Sequence, residues 1–196
     1  MTETKDSQSP LNFTLMHGIY LSLISILLTL IIWSGKMDEN FGIFASFFVH
    51  IANLIIILLY LTYSTRLYRD RIYNGEIRYG KAFSYGVLVF LCSSVISGFF
   101  SFILNRYIDP TYLQRVVEAY REHLYQWMTK YNTPQEQIDQ TLALLKAGKM
   151  STPLETLQQS FVSGVFGGAI LSLFSAALVK KKSKIVVSSR TDNIEN

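Results

Sequence analysis

The sequence contains little of what many enzymes use for chemistry, and charge is missing from long parts of it. Cys92 is the single cysteine among 196 residues, which excludes a disulfide within the chain, a Cys-x-x-Cys pair and a thiolate metal cluster. The sequence also lacks Gly-x-Ser-x-Gly, His-Glu-x-x-His and phosphate-binding glycine loops. We therefore expect a protein that is not an enzyme and that carries no metal or other cofactor.

Four blocks contain no Asp, Glu, Lys or Arg, namely residues 13–33, 43–63, 82–104 and 157–179. Each has at least the roughly 20 residues that a helix needs to cross the ~30 Å hydrocarbon core of a bilayer. The chain is 49% hydrophobic and 16% charged, which leaves too little polar sequence to coat four such helices in a soluble fold. We therefore predict an all-α membrane protein with four transmembrane helices.

The first block is not expected to be a cleaved signal peptide. Its apolar run exceeds the roughly 7–15 residues of a signal-peptide core, and it ends in Trp-Ser-Gly-Lys at 33–36 without an Ala-x-Ala cleavage pattern. We predict a single membrane domain over residues 1–182 and a disordered cytoplasmic tail over 183–196, with the first nine residues disordered as well.

The basic residues are unevenly distributed between the two ends of the predicted bundle. The segments up to 12, from 64 to 81 and from 180 onward carry 11 Lys and Arg, while the opposite side carries 7, of which six are spread over one long loop. The positive-inside rule then places both termini in the cytoplasm. Because these basic residues cluster beside apolar blocks and are not interleaved along a soluble face, nucleic-acid binding is not expected.

Each of the four prolines follows a residue that can cap a helix, in the pairs Ser9-Pro10, Asp109-Pro110, Thr133-Pro134 and Thr152-Pro153. Proline is tolerated at the first helical position, where its missing N–H has no partner to lose, and the preceding side chain can accept bonds from free amides. The pairs predict helices that begin near residues 10, 110, 134 and 153.

The loop between the third and fourth spans has the pattern of two helices. From Asp109, apolar residues recur at spacings of 4, 3, 4, 3 and 4, at Leu113, Val117, Tyr120, Leu124, Trp127 and Tyr131. A shorter amphipathic helix, with Ile138, Leu142 and Leu145 on one side, runs from Pro134 to Gly148. We predict an extracytoplasmic amphipathic helical hairpin over about 109–148.

The aromatic face of this hairpin has three interpretations. Its residues Leu113, Tyr120, Leu124, Trp127 and Tyr131 can lie in the lipid headgroup layer, cover the bundle or bind a partner, because Trp and Tyr combine an apolar ring with a polar tip. His123 lies on the polar flank of the same helix among charged residues, and we expect it to be solvated.

Small residues recur at every fourth position of the fourth span, at Ser160, Gly164, Gly168, Ser172 and Ala176. Such a stripe lets another helix backbone approach closely. The contact can be packing within one four-helix bundle, or an interface with a second copy or another membrane protein.

The most polar residues of the first two spans are His17, His50 and Asn53. At 1.5 Å per residue, the two histidines lie at depths roughly 13 Å apart, which excludes a shared metal ion. His50 and Asn53 lie one turn apart and can form a polar seam with the hydroxyls of the first span, at Ser22, Ser25 or Thr29. The alternative for this pair is a path for a transported solute or ion.

Several stretches resemble a known family. Gly-Glu-Ile-Arg-Tyr-Gly-Lys-Ala-Phe at 75–83 leads into the third span, Tyr-Ile-Asp-Pro at 107–110 follows that span, and the last span ends on Lys-Lys-Lys at 180–182. In this order of parts, residues 13–182 resemble small four-span membrane proteins of unknown function that are common in Bacteroidetes bacteria. The resemblance implies a bacterial inner-membrane location and supplies no catalytic residues.

The function therefore stays open at this point. The first hypothesis is an accessory or scaffold subunit that acts by association within the lipid bilayer, with the small-residue stripe of the fourth span as the interface. The second is a channel or transporter subunit with a polar path near His50 and Asn53. The spans contain no carboxylate, the usual proton carrier of a small coupled exporter.

Overall fold

The computed structural model describes residues 9–147 and 153–180. The described residues form the helices α1 (Pro10–Ser34), α2 (Met37–Asn40), α3 (Ile43–Ile72), α4 (Tyr79–Ile103), α5 (Tyr112–Lys130), α6 (Gln135–Ala147) and α7 (Pro153–Val179), and a π-helical turn at Leu104–Ile108 continues α4. The terminal segments predicted to be disordered lie outside the described residues, except for Ser9. The predicted helix end at Gly148 and the capping residue Thr152 also lie outside them.

Within the described residues, four helices are long and apolar enough to cross a membrane. They are Pro10–Ser34, Ile43–Ile72, Tyr79–Ile108 and Leu157–Val179, and 18-residue windows within them have mean hydropathies of 2.2, 2.3, 2.4 and 2.0. Each contains one of the four uncharged blocks of the sequence. The protein is therefore a multi-pass membrane protein with four transmembrane helices, and this part of the prediction is confirmed.

The hydrophobic core lies towards the end of the bundle where α1 begins and α7 ends. It combines residues from the start of α1, the end of α3, the start of α4 and the end of α7, including Phe13, Leu61, Tyr85 and Val179. The rings of Tyr68 and Tyr85 stack with centroids 4.0 Å apart and planes 12° apart. Helices that alternate in direction bring these termini to one end, so the packing there fixes all four spans relative to one another.

The most extensive contact among the described helices is between α4 and α7, where glycines of α7 meet side chains of α4. A β-carbon placed on Gly168 would lie 2.7 Å from the Cβ of Phe90, and one placed on Gly164 would overlap the side chain of Ser94. Ser172 is fully buried in the same stripe. The backbones can approach this closely because the α7 positions carry no side chain.

The small-residue stripe thus packs mainly within the chain. Ala176 is also fully buried, next to Val179 in the core, and Ser175 donates a hydrogen bond to the hydroxyl of Thr65 at 3.1 Å. The side chain of Ser160 lies outside the described residues. Between 164 and 176, the structure brings the predicted stripe against α4 and the end of α3.

One half of α3 is far less covered than the other membrane helices. All of residues 43–60 are described, and none of them is buried; we call them the bare segment. Large apolar side chains are exposed along it, at Phe44, Phe47, Phe48, Ile51, Leu54, Ile55, Ile56 and Leu59. By contrast, Leu61, Ser64 and Thr65 just beyond it are fully buried. In α3, buried residues therefore occur only from Leu61 onward, in the part that packs near the start of α1 and the end of α7.

Candidate functional site

A polar network joins α1, α2, α4 and α5 at the end of the bundle opposite the termini. We call it the clasp, and its side chains are Trp33, Asp38, Glu39, Asp109, Tyr112 and Arg115. Arg115 holds Asp109 with both terminal nitrogens, at 3.0 Å and 2.6 Å, and its Nε lies 3.2 Å from the carboxylate of Glu39. Paired bonds from a planar guanidinium to carboxylates give a fixed geometry. The clasp therefore fixes α5 against the bundle.

Two further bonds complete the clasp. The indole N–H of Trp33, at the end of α1, donates to Asp109 Oδ2 at 3.1 Å. The hydroxyl of Tyr112 donates to Asp38 Oδ2 at 2.7 Å. The short helix α2 thus meets α5 twice, because Glu39 also accepts from Arg115.

The local backbone explains how Asp109 reaches the clasp. Its amide donates to the carbonyl of Leu104 at 2.8 Å, a bond over five residues that closes the π-helical turn. The extra residue in this turn changes the direction of the chain as it leaves α4. The sequence predicted Asp109 as the cap of a helix beginning near 110. In the structure α5 begins at Tyr112, after Thr111. The Asp109 carboxylate instead accepts hydrogen bonds from Arg115 and Trp33.

The ionisable groups of the clasp reinforce one another. Hydrogen bonds from Arg115, and further bonds from Trp33 and Thr111, hold the pKa of Asp109 well below its usual range although burial opposes this shift. Burial and the neighbouring Asp38 carboxylate raise the pKa of Tyr112. At neutral pH the clasp therefore contains an ionised Asp109 and a neutral Tyr112.

We expect the clasp to weaken in acid. The folded pKa of Asp109 lies below the ordinary carboxyl value near 4, so its stabilising contribution is complete above that value and is lost as the pH falls below it. The emission of Trp33, isolated by Trp127→Phe, should stay constant down to about pH 4 and change only well below it, where Asp109 is protonated in the folded protein. Asp109→Asn should remove this transition. The same transition in the Asn variant would assign it to another carboxylate.

A cleft lies beside the clasp, between the beginning of α3 and α5, and consists of two adjoining cavities. The first has a volume of about 420 Å³ and is lined by the polar side chains of Asp38, Ser46, His50, Tyr120 and His123 and by the rings of Phe41 and Phe47. The second has a volume of about 390 Å³ and includes Phe44, Gln126, Trp127 and Lys130. Both are lined by Ile43 and His123. The cleft therefore has an acidic end at Asp38 and a basic end at Lys130.

His50 lines the cleft, while Asn53 lies one turn farther along α3. His50 Nδ1 is 2.8 Å from the carbonyl oxygen of Ser46, and its Nε2 is 3.8 Å from Asp38 Oδ1. Asn53 is half-buried, and its side-chain Oδ1 is buried without a hydrogen-bond partner in the described structure. His17 lies elsewhere, at the start of α1, where Nδ1 is 2.9 Å from the hydroxyl of Tyr60.

The hydroxyls that the sequence offered as partners of this pair bond within α1 instead. Ser22 donates to the carbonyl of Ile19 at 2.7 Å. Ser25 donates to Leu21 at 3.0 Å, and Thr29 donates to Ser25 at 2.9 Å. The structure therefore brings His50 to Asp38 at the end of the bundle.

The predicted aromatic face of α5 is divided between the cleft and the surface. Tyr120 and Trp127 line the cleft, while Leu113 and Leu124 are half-buried. Tyr131 is exposed, and its ring centroid lies 5.1 Å from that of Trp127.

His123 is a cleft residue that the sequence reasoning missed. It was expected to be solvated, but it is half-buried and lines both cavities. A signal was present: residues 116, 120, 123, 127 and 130 follow spacings of 4, 3, 4 and 3 and form one helix stripe. This stripe was overlooked because it contains His and Lys, whereas the neighbouring stripe is more apolar.

Comparison with known proteins identifies a family. Residues 16–181 match the family described as Protein of unknown function (DUF4199). No curated protein and no solved structure matches the chain. The resemblance to an uncharacterised family, first noted from the motifs, is thereby confirmed.

Proposed function

We propose that this chain, which belongs to the DUF4199 family, acts by association within the membrane and not by catalysis. In this proposal it binds an amphiphilic component of the membrane through the bare segment of α3 and the cleft at its end. The observation that carries the proposal is the continuity of the two surfaces: Phe44 and Phe47 belong to the exposed apolar side of α3 and also line the cleft.

The two surfaces match the two parts of an amphiphile. The bare segment offers apolar side chains over 18 residues, or roughly 27 Å of helix, which approaches the ~30 Å thickness of the hydrocarbon core. The cleft offers charged and hydrogen-bonding groups at the end of this surface. An apolar chain lying on α3 would therefore bring a polar head to Asp38, His50 and His123.

We place the proposed association surface on α3 and not on α7. The accessory or scaffold role suggested by the sequence relied on the small-residue stripe, which packs on α4 of the same chain at Gly164 and Gly168. A partner protein or second copy would instead meet the exposed side of α3. The channel or transporter alternative has less support, because His50 turns towards Ser46 and Asp38 at one end of the bundle.

We also propose a bacterial inner-membrane location with both termini in the cytoplasm. The support is the distribution of basic residues, which are denser at the end of the bundle that carries the termini, at Arg66, Arg69, Arg71, Arg78 and Lys81. In this orientation the clasp and the cleft lie on the extracytoplasmic side.

Photo-crosslinking can test the association. A diazirine amino acid at Leu54, on the bare segment, should give one dominant adduct in native membranes when the products are weighed by mass spectrometry. The same probe at Phe166, an exposed position of α7, should label the bulk lipids in proportion to their abundance. Identical adduct distributions at the two positions would contradict the proposal.

A further inference from the structure

The first cavity of the cleft has the chemistry of a site for an organic cation. It combines the Asp38 carboxylate and the His50 imidazole with the rings of Phe41, Phe47 and Tyr120. We propose that it binds the primary ammonium group of an aminophospholipid, with phosphatidylethanolamine as the defining headgroup. This inference rests on the proposed function and names the class of amphiphile.

The geometry of His50 indicates what kind of group belongs between it and Asp38. A carbonyl oxygen can only accept, so His50 Nδ1 must donate to Ser46 across their 2.8 Å contact. In the neutral imidazole, Nε2 then carries a lone pair, and it faces Asp38 Oδ1 at 3.8 Å. With the imidazole neutral, two acceptors face each other. A nitrogen with several N–H bonds, placed about 2.8–3.0 Å from each, can donate to both.

The surroundings favour a positive group at this position. Asp38 Oδ2 already accepts the Tyr112 hydroxyl at 2.7 Å, which orients the carboxylate with Oδ1 towards His50. The clasp contains three carboxylates, those of Asp38, Glu39 and Asp109, against the one guanidinium of Arg115. Its formal charge is therefore −2, and aromatic faces beside it also attract cations.

The neighbouring cavity supplies the complementary end for a phosphate. Lys130, Gln126 and His123 line it, and these side chains can donate hydrogen bonds to an anion. In phosphatidylethanolamine two carbons and one oxygen separate the nitrogen from the phosphorus, so a phosphate attached to an ammonium at Asp38 and His50 would lie at the junction of the two cavities and not at Lys130. His123 stands between them because it lines both cavities.

The occupant is a lipid and not a free amine because of where the cleft opens. Phe44 and Phe47 extend from the cleft onto the bare segment, where they are 60% and 59% exposed. A soluble amine would leave this apolar surface unused. An acyl chain attached to the same headgroup would cover it.

Competition between lipids with different headgroups tests the assignment. The full chain in detergent micelles, supplied with equal amounts of phosphatidylethanolamine, phosphatidylcholine and phosphatidylglycerol, would be examined by native mass spectrometry. Phosphatidylcholine is the decisive comparison, because its ammonium has the same charge and no N–H. We expect about tenfold preference for phosphatidylethanolamine over phosphatidylcholine, as for the loss of a charge-assisted hydrogen bond. Phosphatidylglycerol should bind most weakly.

Two variants locate the site, and one serves as the matched control. Asp38→Asn and His50→Phe should each reduce the preference towards equal binding. The His50 side chain is 60% exposed, so His50→Phe should leave the fold intact even if Asp38→Asn loosens Tyr112. Glu118→Gln removes an exposed carboxylate of α5, one that accepts from Gln114, and should retain the full preference.

The outcomes separate this inference from the proposed function. Equal binding of the three lipids, or a preference that survives both site variants, overturns the ammonium assignment while leaving lipid association standing. Retention of no lipid at all overturns both. If free ethanolamine competed for the site as effectively as phosphatidylethanolamine at the same concentration, the ligand would be a soluble amine and the lipid assignment would be wrong.

Discussion

Gly168→Ile is expected to lower the melting temperature of the protein by several degrees, whereas Gly167→Ile should have little effect. A β-carbon at 168 would lie 2.7 Å from both Cβ and Cγ of Phe90, while one at 167 meets nothing within 4 Å. Overpacking of this kind costs about 1–3 kcal/mol, and each kcal/mol shifts the melting temperature by roughly 2–4 °C in a chain of this size.

The pair of variants is well matched because both place the same side chain at neighbouring positions of α7. Any change in helix propensity or in total hydrophobicity is shared. Circular dichroism of the detergent-solubilised protein during heating measures the difference. Equal melting temperatures for the two variants would show that α4 and α7 do not approach closely at 168. If Gly168→Ile changed only the mass of the solubilised complexes and not the melting temperature, the stripe would be an interface between chains.

Arg115→Gln is expected to release α5 from the bundle. The substitution leaves Asp109 and Glu39 without their cation, although their side chains are only 16% and 14% exposed. Carboxylates that are shielded from solvent and have lost their cation repel each other, and the folded arrangement becomes less stable than one in which they are hydrated. Hydrogen exchange of the α5 amides should therefore accelerate, on the order of tenfold or more, while the amides of α4 and α7 keep their protection.

A control and a double variant make this result specific to the clasp. Arg106→Gln removes an exposed arginine near the π-helical turn, whose guanidinium lies 5.9 Å from the Tyr107 ring, and should leave α5 protected. Adding Asp109→Asn to Arg115→Gln should reverse part of the damage, because it removes one uncompensated charge. Unchanged exchange in the Arg115 variant would mean that α5 is held by apolar contacts alone.

The membrane helices could be predicted from the sequence because a bilayer imposes a simple requirement on composition. A helix in hydrocarbon satisfies its own backbone polar groups and excludes charge, so the uncharged blocks reveal the spans directly. The sequence also predicted a helix contact at Gly164 and Gly168, without identifying the partner helix. Which helix fills a small-residue stripe depends on tertiary packing, and the stripe itself carries no information about it.

The clasp was missed because the bonds that join its two halves, 33–39 and 109–115, link sequence positions more than seventy residues apart. Trp33 and Asp109 are 76 residues apart, as are Glu39 and Arg115. Locally, Asp109 before Pro110 has the pattern of a helix cap, and nothing in the neighbouring sequence indicates a π-helical turn. The bare segment of α3 was equally hidden, since a span that faces lipid and one that faces other helices can have the same hydropathy.

Because α3 is packed at one end and exposed at the other, a small rotation at its packed end would be amplified at its exposed end. Its packed end begins at Leu61, and Ile43 at the edge of the cleft lies 18 residues away, or roughly 27 Å along the helix axis. A rotation of about 10° around Leu61 would move Ile43 by roughly 5 Å. Such a rotation would change the width of the cleft by the size of a methylene group or more, and the bonds of Asp38 and Glu39 to α5 oppose it.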